Sequence, residues 1–276
     1  MKININNEVI FASTGGRAFE IKGHPLWFIH GSGQSHLSFI LQGRFFANRG
    51  WPVISADMPS HGLSSGAPLA TIEAMSDWQI ALMDELGIEK VQIIGHSQGG
   101  LIGLDMAYRY PDRVSQLSLV ATALSIPVNS NLIEMAKNKE QSAIDAMIDW
   151  GHGPEGHNHD NTMPGQNHLN FGVQLMAANK LGALHADLKA CVDYTNGHIA
   201  ADNISCPSQI IIAQKDKMTP MKFGLKAAEA LNTNNITVLK TLVICCPQNI
   251  QKKLTVLYAH FLLRVKICQN LNKLQL

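Results

Sequence analysis

The sequence predicts an α/β fold: a mostly parallel central sheet with helices on both faces and an α-helical lid inserted into it. Three observations carry this. Short continuous apolar runs alternate with helix-spaced ones along most of the 276 residues, the pattern of strands buried on both faces and joined by crossover helices. A strand-to-helix turn is written at Gly95-His96-Ser97-Gln98-Gly99, between the apolar run Val91-Gln92-Ile93-Ile94 and a helix-like stretch from Gly100. From about Leu124 to Asn203 helix-like pieces succeed one another without a strand pattern, too long a stretch for a plain connection.

Taken in order, Glu8 to Thr14 and Arg17 to Ile21 read as a hairpin around Gly15-Gly16. Leu26-Trp27-Phe28-Ile29 and Val53-Ile54-Ser55-Ala56 read as central strands, with Leu37, Ile40, Leu41, Phe45 and Phe46 at helical spacing between them. Thr71 is placed to cap a helix that buries Ile72, Met75, Leu82 and Leu86 and stops at Gly87. Leu101, Leu104 and Ala107 mark the helix behind Ser97, closed by Tyr110-Pro111. Leu117 to Val120, Gln209 to Ala213 and Ile236 to Leu239 are the remaining strands. Within the insertion, residues 124–203, helices are expected around Ile133 to Trp150, Phe171 to Leu181 and His185 to Tyr194.

Composition narrows the function classes. A hydrophobic share of 46% and a mean hydropathy of +0.01 fit one globular domain, and no apolar run has the length of a membrane span. Met1 to Glu8 lacks the apolar core of a secretory signal, so a cytoplasmic location is the expectation. Five irregularly spaced cysteines then read as reduced thiols, Cys191 and Cys206 as buried ones. A net charge of +1 gives no reason to expect a nucleic-acid partner.

Ser97 is the leading chemical candidate. The flanking glycines suit a turn too tight for side chains, with the serine on a rigid corner above the positive end of a helix. A serine hydroxyl attacks well only when a base takes its proton, and imidazole suits that task near neutral pH. An aspartate then fixes the imidazole's tautomer, and two N–H donors stabilise the developing oxyanion.

With elbow, loops and insertion together, residues 8 to 240 resemble the α/β-hydrolase superfamily in a capped, esterase-like branch. The resemblance implies Ser97 as nucleophile and, as oxyanion donors, the backbone N–H groups of Ser32, in His30-Gly31-Ser32-Gly33, and Gln98. It implies Asp216, in Asp216-Lys217-Met218-Thr219-Pro220, as the acid of the triad, and Asp57-Met58-Pro59-Ser60-His61-Gly62-Leu63-Ser64 as a structural loop. His30 is expected to orient the oxyanion loop by a hydrogen bond, with Gly31 and Gly33 supporting it, and His96 to pack. No cofactor is implied. The expected reaction is hydrolysis of a small ester, thioester or amide through an acyl-enzyme. A ligand-binding module without catalysis, and a carbon–carbon hydrolase or perhydrolase, remain as alternatives. Serine at the elbow disfavours the dehalogenase and epoxide-hydrolase branches, which place aspartate there.

Other residues carry weaker signals. His152, His157, His159, Asp160 and His168 cluster in the insertion, but their spacing matches no standard metal site, so no metal is expected. Met135, Met147, Met163, Met176 and Trp150 are candidates for a plastic acyl pocket, with helix core as the commoner role.

The histidine of the triad is missing. The resemblance places it some 25 to 30 residues beyond the acid, near Val243, where the chain reads Thr241-Leu242-Val243-Ile244-Cys245-Cys246-Pro247, and no histidine occurs between Asp216 and His260. Residues 241–276 are also foreign in composition. They carry five basic residues and no Asp, Glu or Gly, and hold Cys245, Cys246 and Cys268. Removing those five from the 22 basic residues leaves the first 240 residues with 17 against 21 acidic groups. Back-translating from Thr241 and reading from each codon's third base permits Gly-His-Met-Leu-Pro at the right place, then a run that resembles the superfamily's histidine loop. The hypothesis is a one-base frame slip near Lys240 that replaced the histidine loop and last helix with an aberrant tail. Sequencing the gene across that codon tests it, and an intact frame there and in related strains would remove it.

Overall fold

The computed structural model describes residues 1–158 and 168–239, together with Val256, Tyr258, Ala259 and Phe261; for 153–158 and 168 it describes the backbone alone. Eight strands form one sheet in the order β1-β2-β4-β3-β5-β6-β7-β8. They are β1 (Lys2–Ile5), β2 (Glu8–Ser13), β3 (Leu26–Ile29), β4 (Val53–Ala56), β5 (Val91–His96), β6 (Val114–Val120), β7 (Ser208–Ala213) and β8 (Ile236–Leu239). The first two pairings, β1 with β2 and β2 with β4, are antiparallel, and all the rest are parallel.

The opening differs from expectation. The hairpin joins β1 to β2 around Asn6 and Asn7, both at positive φ, a conformation asparagine tolerates because its short side chain bonds locally. Arg17 to Ile21 forms no strand. Gly15 and Gly16 do reverse the chain at positive φ, but they lead into a loop that Thr14 closes by donating to the Arg17 carbonyl.

The central strands are apolar on both faces because each face has its own cover. Trp27, Ile29, Ile93, Leu117, Leu119, Ile210 and Ile212 pack into one core with α2 (Ile72–Glu85) and α3 (Gln98–Arg109). Leu26, Phe28, Ile94, Val120 and Ile211 alternate with them and point to the other face, against α1 (Ile40–Ala47). Tyr258 is fully buried on that second face, its ring 6.5 Å from that of Phe28. Thr71 caps α2 as expected, accepting from the Ala74 N–H, and Gly87 succeeds the helix at positive φ.

Between β6 and β7 the described residues contain no strand. They form α4 (Ser130–Asn138), α5 (Glu140–Asn158), α6 (His168–Ala177), α7 (Ala183–Asp193) and α8 (Gly197–Asp202). The helix expected over Ile133 to Trp150 is thus two, broken at Lys139, and α6 ends before Leu181, which is exposed. Leu132, Ala136, Ile144, Ile148, Leu175 and Leu184 give this segment a core of its own. After β7 comes α9 (Met221–Ala230), and Val256, Tyr258, Ala259 and Phe261 are helical.

Candidate active site

Ser97 stands between β5 and α3 with φ 52° and ψ −119°, a backbone conformation that costs about 1–3 kcal/mol for a residue bearing a Cβ. The surroundings enforce it. Ser97 N–H donates to the Val120 carbonyl at 2.9 Å, and the Ser97 carbonyl accepts from Thr122 Oγ1 at 2.7 Å and from Gly100 N–H at 2.8 Å. A Cβ at Gly95 would overlap the Gly99 carbonyl oxygen, and one at Gly99 would overlap that of Ile29. Glycine is therefore required by backbone contact on both sides of the serine.

The loop after β3 lies against this corner. A Cβ at Gly31 would stand 3.2 Å from Ser97 Cβ, so the absence of a side chain lets the loop approach the serine. Gln34 shapes the loop: its Oε1 accepts from Gly31 N–H at 3.2 Å, Ser38 Oγ at 3.1 Å and His96 Nδ1 at 3.1 Å. The N–H groups of Ser32 and Gln98 donate to no protein group among the described residues.

His30 is fully buried beneath the loop. Met58 N–H donates to its Nε2 at 3.2 Å, so its proton sits on Nδ1, 3.0 Å from the Gly31 carbonyl. Burial pulls its pKa down to about 4, helped by the neighbouring His61. His96 is buried, its Nδ1 donates to Gln34 Oε1, and it lines the cavity beside Ser97.

Asp216 lies just beyond β7 and is buried; its Oδ1 accepts from the N–H groups of Met218 at 2.8 Å and Thr219 at 2.9 Å. Met218 and Thr219 line the same cavity as Ser97, Gly31 and Ser32. That cavity holds about 60 Å³ and is otherwise walled by Gln34, His96, Ala121, Ile126, Val128, Met147, Met176, Leu188 and Cys191. Of the candidate pocket residues, Met147 and Met176 therefore line it. Met135 packs within the helical segment instead, Trp150 is exposed because it lies on the outer side of α5, and Met163 lies outside the described residues.

Of the thiols, Cys191 is buried with its pKa pushed up to about 12 by burial, 3.7 Å from Ser32 Oγ. Cys206 is half-buried rather than buried, since it precedes β7 on a loop. His152 Nδ1 donates to the Ile148 carbonyl at 3.0 Å. The side chains of His157, His159, Asp160 and His168, and the segment around Val243 with His260, Cys245, Cys246 and Cys268, lie outside the described residues.

One pair escaped the sequence. His61 Nε2 lies 2.9 Å from Asp187 Oδ2, and His61 Nδ1 lies 3.0 Å from the Pro59 carbonyl. Both ring nitrogens thus face acceptors, an arrangement that favours the doubly protonated, charged imidazole. Burial opposes that charge, but the Asp187 carboxylate outweighs it and holds the His61 pKa above its usual value. A carboxylate on the buried stripe of α7, among Ala183, Leu184, Leu188 and Cys191, was the available signal.

The sequence profile described as alpha/beta hydrolase fold matches residues 24–145. An enol-lactonase from Burkholderia xenovorans LB400 superposes over 95% of this chain and 99% of its own, with a TM-score of 0.82 at 19% identity. The chain has the α/β-hydrolase fold. A thermophilic esterase from Thermogutta terrifontis superposes on this hydrolase-fold chain with a TM-score of 0.81 at 20% identity, covering 96% of this chain and 98% of that one. The acetyltransferase component of the acetoin cleaving system of Pseudomonas putida is 36% identical over 119 residues, which are 41% of this chain and 32% of that protein. The hydrolase-fold chain thus aligns with about a third of that curated relative's length. No helix among the described residues is long and apolar enough to cross a membrane.

Proposed function

We propose that this chain is built as a serine hydrolase for a small ester, thioester or amide, working through an acyl-enzyme, and that it lacks the group that should accept the serine's proton. The supporting observation is the strained Ser97 at the rim of an apolar cavity, beside two N–H groups with no other use. In this reading Ser97 Oγ attacks the acyl carbonyl carbon and the oxyanion forms against Ser32 N–H and Gln98 N–H. Such donors act strongly because they are aimed in advance at charge that develops in the transition state. Asp216 would orient a histidine from the loop after β8, and residues 124–203 serve as the lid that closes the acyl pocket. Enol-lactonase and esterase, the activities named for the two structural neighbours, are both cleavages of an acyl–oxygen bond. A cytosolic setting with reduced thiols belongs to the same reading.

With no histidine between Asp216 and His260, the position after β8 offers Ser97 no imidazole, and on this reading its proton leaves to water or hydroxide. Loss of the base in a serine triad costs about 10⁶ in kcat, so this chain retains the slow catalysis of its oxyanion donors and pocket. The missing base also favours a second reading, a ligand-binding module that uses the cavity without turnover. A serine-directed fluorophosphonate separates the two. Weak labelling that disappears in Ser97→Ala, and becomes rapid when the segment after Lys240 is read one base out of frame, supports the hydrolase. No labelling in the reframed chain overturns it.

A further inference from the structure

The Ser32 and Gln98 N–H groups come from loops more than 60 positions apart in sequence, so something must hold them in register. Helix α7 of the insertion bonds to a group beside each of them, the Gly33 N–H and the Gln98 side chain. Asp187 Oδ2 accepts from Gly33 N–H at 2.7 Å, next to Ser32, while the Asp187 backbone carbonyl accepts from Gln98 Nε2 at 3.0 Å. One turn further on, Cys191 Sγ touches Ser32 Oγ at 3.7 Å. Asn179 adds a clamp, its Nδ2 donating to the Gly33 carbonyl at 2.6 Å and its Oδ1 accepting from Gly62 N–H at 2.8 Å. His61 Nε2, 2.9 Å from the same Asp187 oxygen, holds the carboxylate from the other side. The second carboxylate oxygen, Oδ1, is buried with no hydrogen-bond partner among the described residues, so the side chain is not arranged for maximal satisfaction of its own charge.

We infer that Asp187 is a positioning residue: its carboxylate and its carbonyl hold the two oxyanion donors relative to each other, so that seating of α7 on the core and competence of the oxyanion hole are one event. This rests on the proposed hydrolase reading for its catalytic consequence, but not for its geometric one. The helical insertion then does more than cover the pocket. A chain whose α7 lifts away would lose the register of Ser32 against Gln98 while Ser97, held by β5, β6 and Thr122, stays in place.

The test uses the full chain and the Ser97-dependent hydrolysis of p-nitrophenyl acetate, which is the rate lost in Ser97→Ala. Asp187→Ala should lower kcat at least tenfold, towards the roughly 10²–10³ that one donor contributes, with KM within about twofold. Asp187→Asn keeps a carbonyl oxygen for Gly33 N–H and should recover most of that loss. Equal losses in both variants that track a fall in melting temperature would make Asp187 a stability residue only, and would overturn the inference. Amide NMR decides the geometry without catalysis: the Ser32, Gly33 and Gln98 resonances should move in Asp187→Ala and return towards native in Asp187→Asn. Unchanged Ser32 and Gln98 resonances refute the inference whatever the rates do. Hydrolysis that survives Ser97→Ala instead refutes the hydrolase reading and leaves the NMR result to stand alone.

Discussion

Replacing Ser97 by glycine should make this protein more stable, although it removes a hydrogen-bonding side chain. At φ 52° and ψ −119° the serine backbone occupies a region that residues with a Cβ avoid, at a cost of about 1–3 kcal/mol. Glycine removes that cost and brings back roughly 0.5–1 kcal/mol of unfolded-state entropy. The net gain is about 1 kcal/mol, up to roughly 2.5 kcal/mol, and at roughly 2–4 °C per kcal/mol for a chain of this size class the melting temperature rises by about 3 °C, up to roughly 10 °C. Ser97→Ala is the control, because it deletes the same hydroxyl and keeps the Cβ. Calorimetric melts of the three proteins at pH 7 check the reasoning. A glycine variant no more stable than the alanine variant would mean that the corner stores no strain, and that the hydrogen bonds to Val120, Thr122 and Gly100 merely describe a relaxed turn.

Two further outcomes arise from buried polar groups. His30 has a folded pKa of about 4 against an unfolded value near 6.5, so its contribution is complete above pH 6.5 and is lost as pH falls towards 4; urea midpoints should show a loss of about 2–3 kcal/mol between pH 7 and 4.5. His30→Gln should flatten that dependence, and parallel curves for the two proteins would disprove the assignment. Tyr258 buries its hydroxyl against the sheet with no partner among the described residues, so Tyr258→Phe should stabilise the chain by about 1 kcal/mol in the same urea assay; a destabilised variant would show that the hydroxyl is satisfied after all.

The strands β3 to β8 were legible because each is a short apolar run, and for β3 to β7, buried on both faces, no periodicity is needed to betray it. β1 was not, since Lys2-Ile3-Asn4-Ile5 alternates over only four residues and its turn is made by two asparagines rather than by the more conspicuous Gly15-Gly16. The corner at Ser97 and the loop at Gly31 were legible for a different reason: local backbone crowding dictates glycine at fixed offsets, and offsets survive in a one-dimensional record. The His61–Asp187 pair was not. Its members lie 126 positions apart, and neither has a neighbour in sequence that requires it. The break at Lys139 was also hidden, because the helical spacing of apolar residues continues from α4 into α5 and both helices face the same small core.

On the proposed reading, the position of the tail divides the labour of the site. The elbow, the Gly31 loop, the α7 clamp and the Asp216 turn are built from residues 26 to 219, and β8 closes the described sheet at Leu239. Everything that aims dipoles at an oxyanion therefore lies upstream of the compositional break, and only proton transfer depends on the residues downstream of it. In this chain the two halves of serine catalysis are carried by different stretches of sequence. The tail need not be inert: Tyr258 and Phe261 are buried, with Tyr258 against Leu26, Phe28 and Ile211, so its apolar residues cover a sheet face that would otherwise be wet. Covering that face requires only hydrophobic volume, which many sequences provide, whereas a base beside Ser97 requires one imidazole at one place. A replaced C-terminal segment thus keeps the fold more readily than the chemistry.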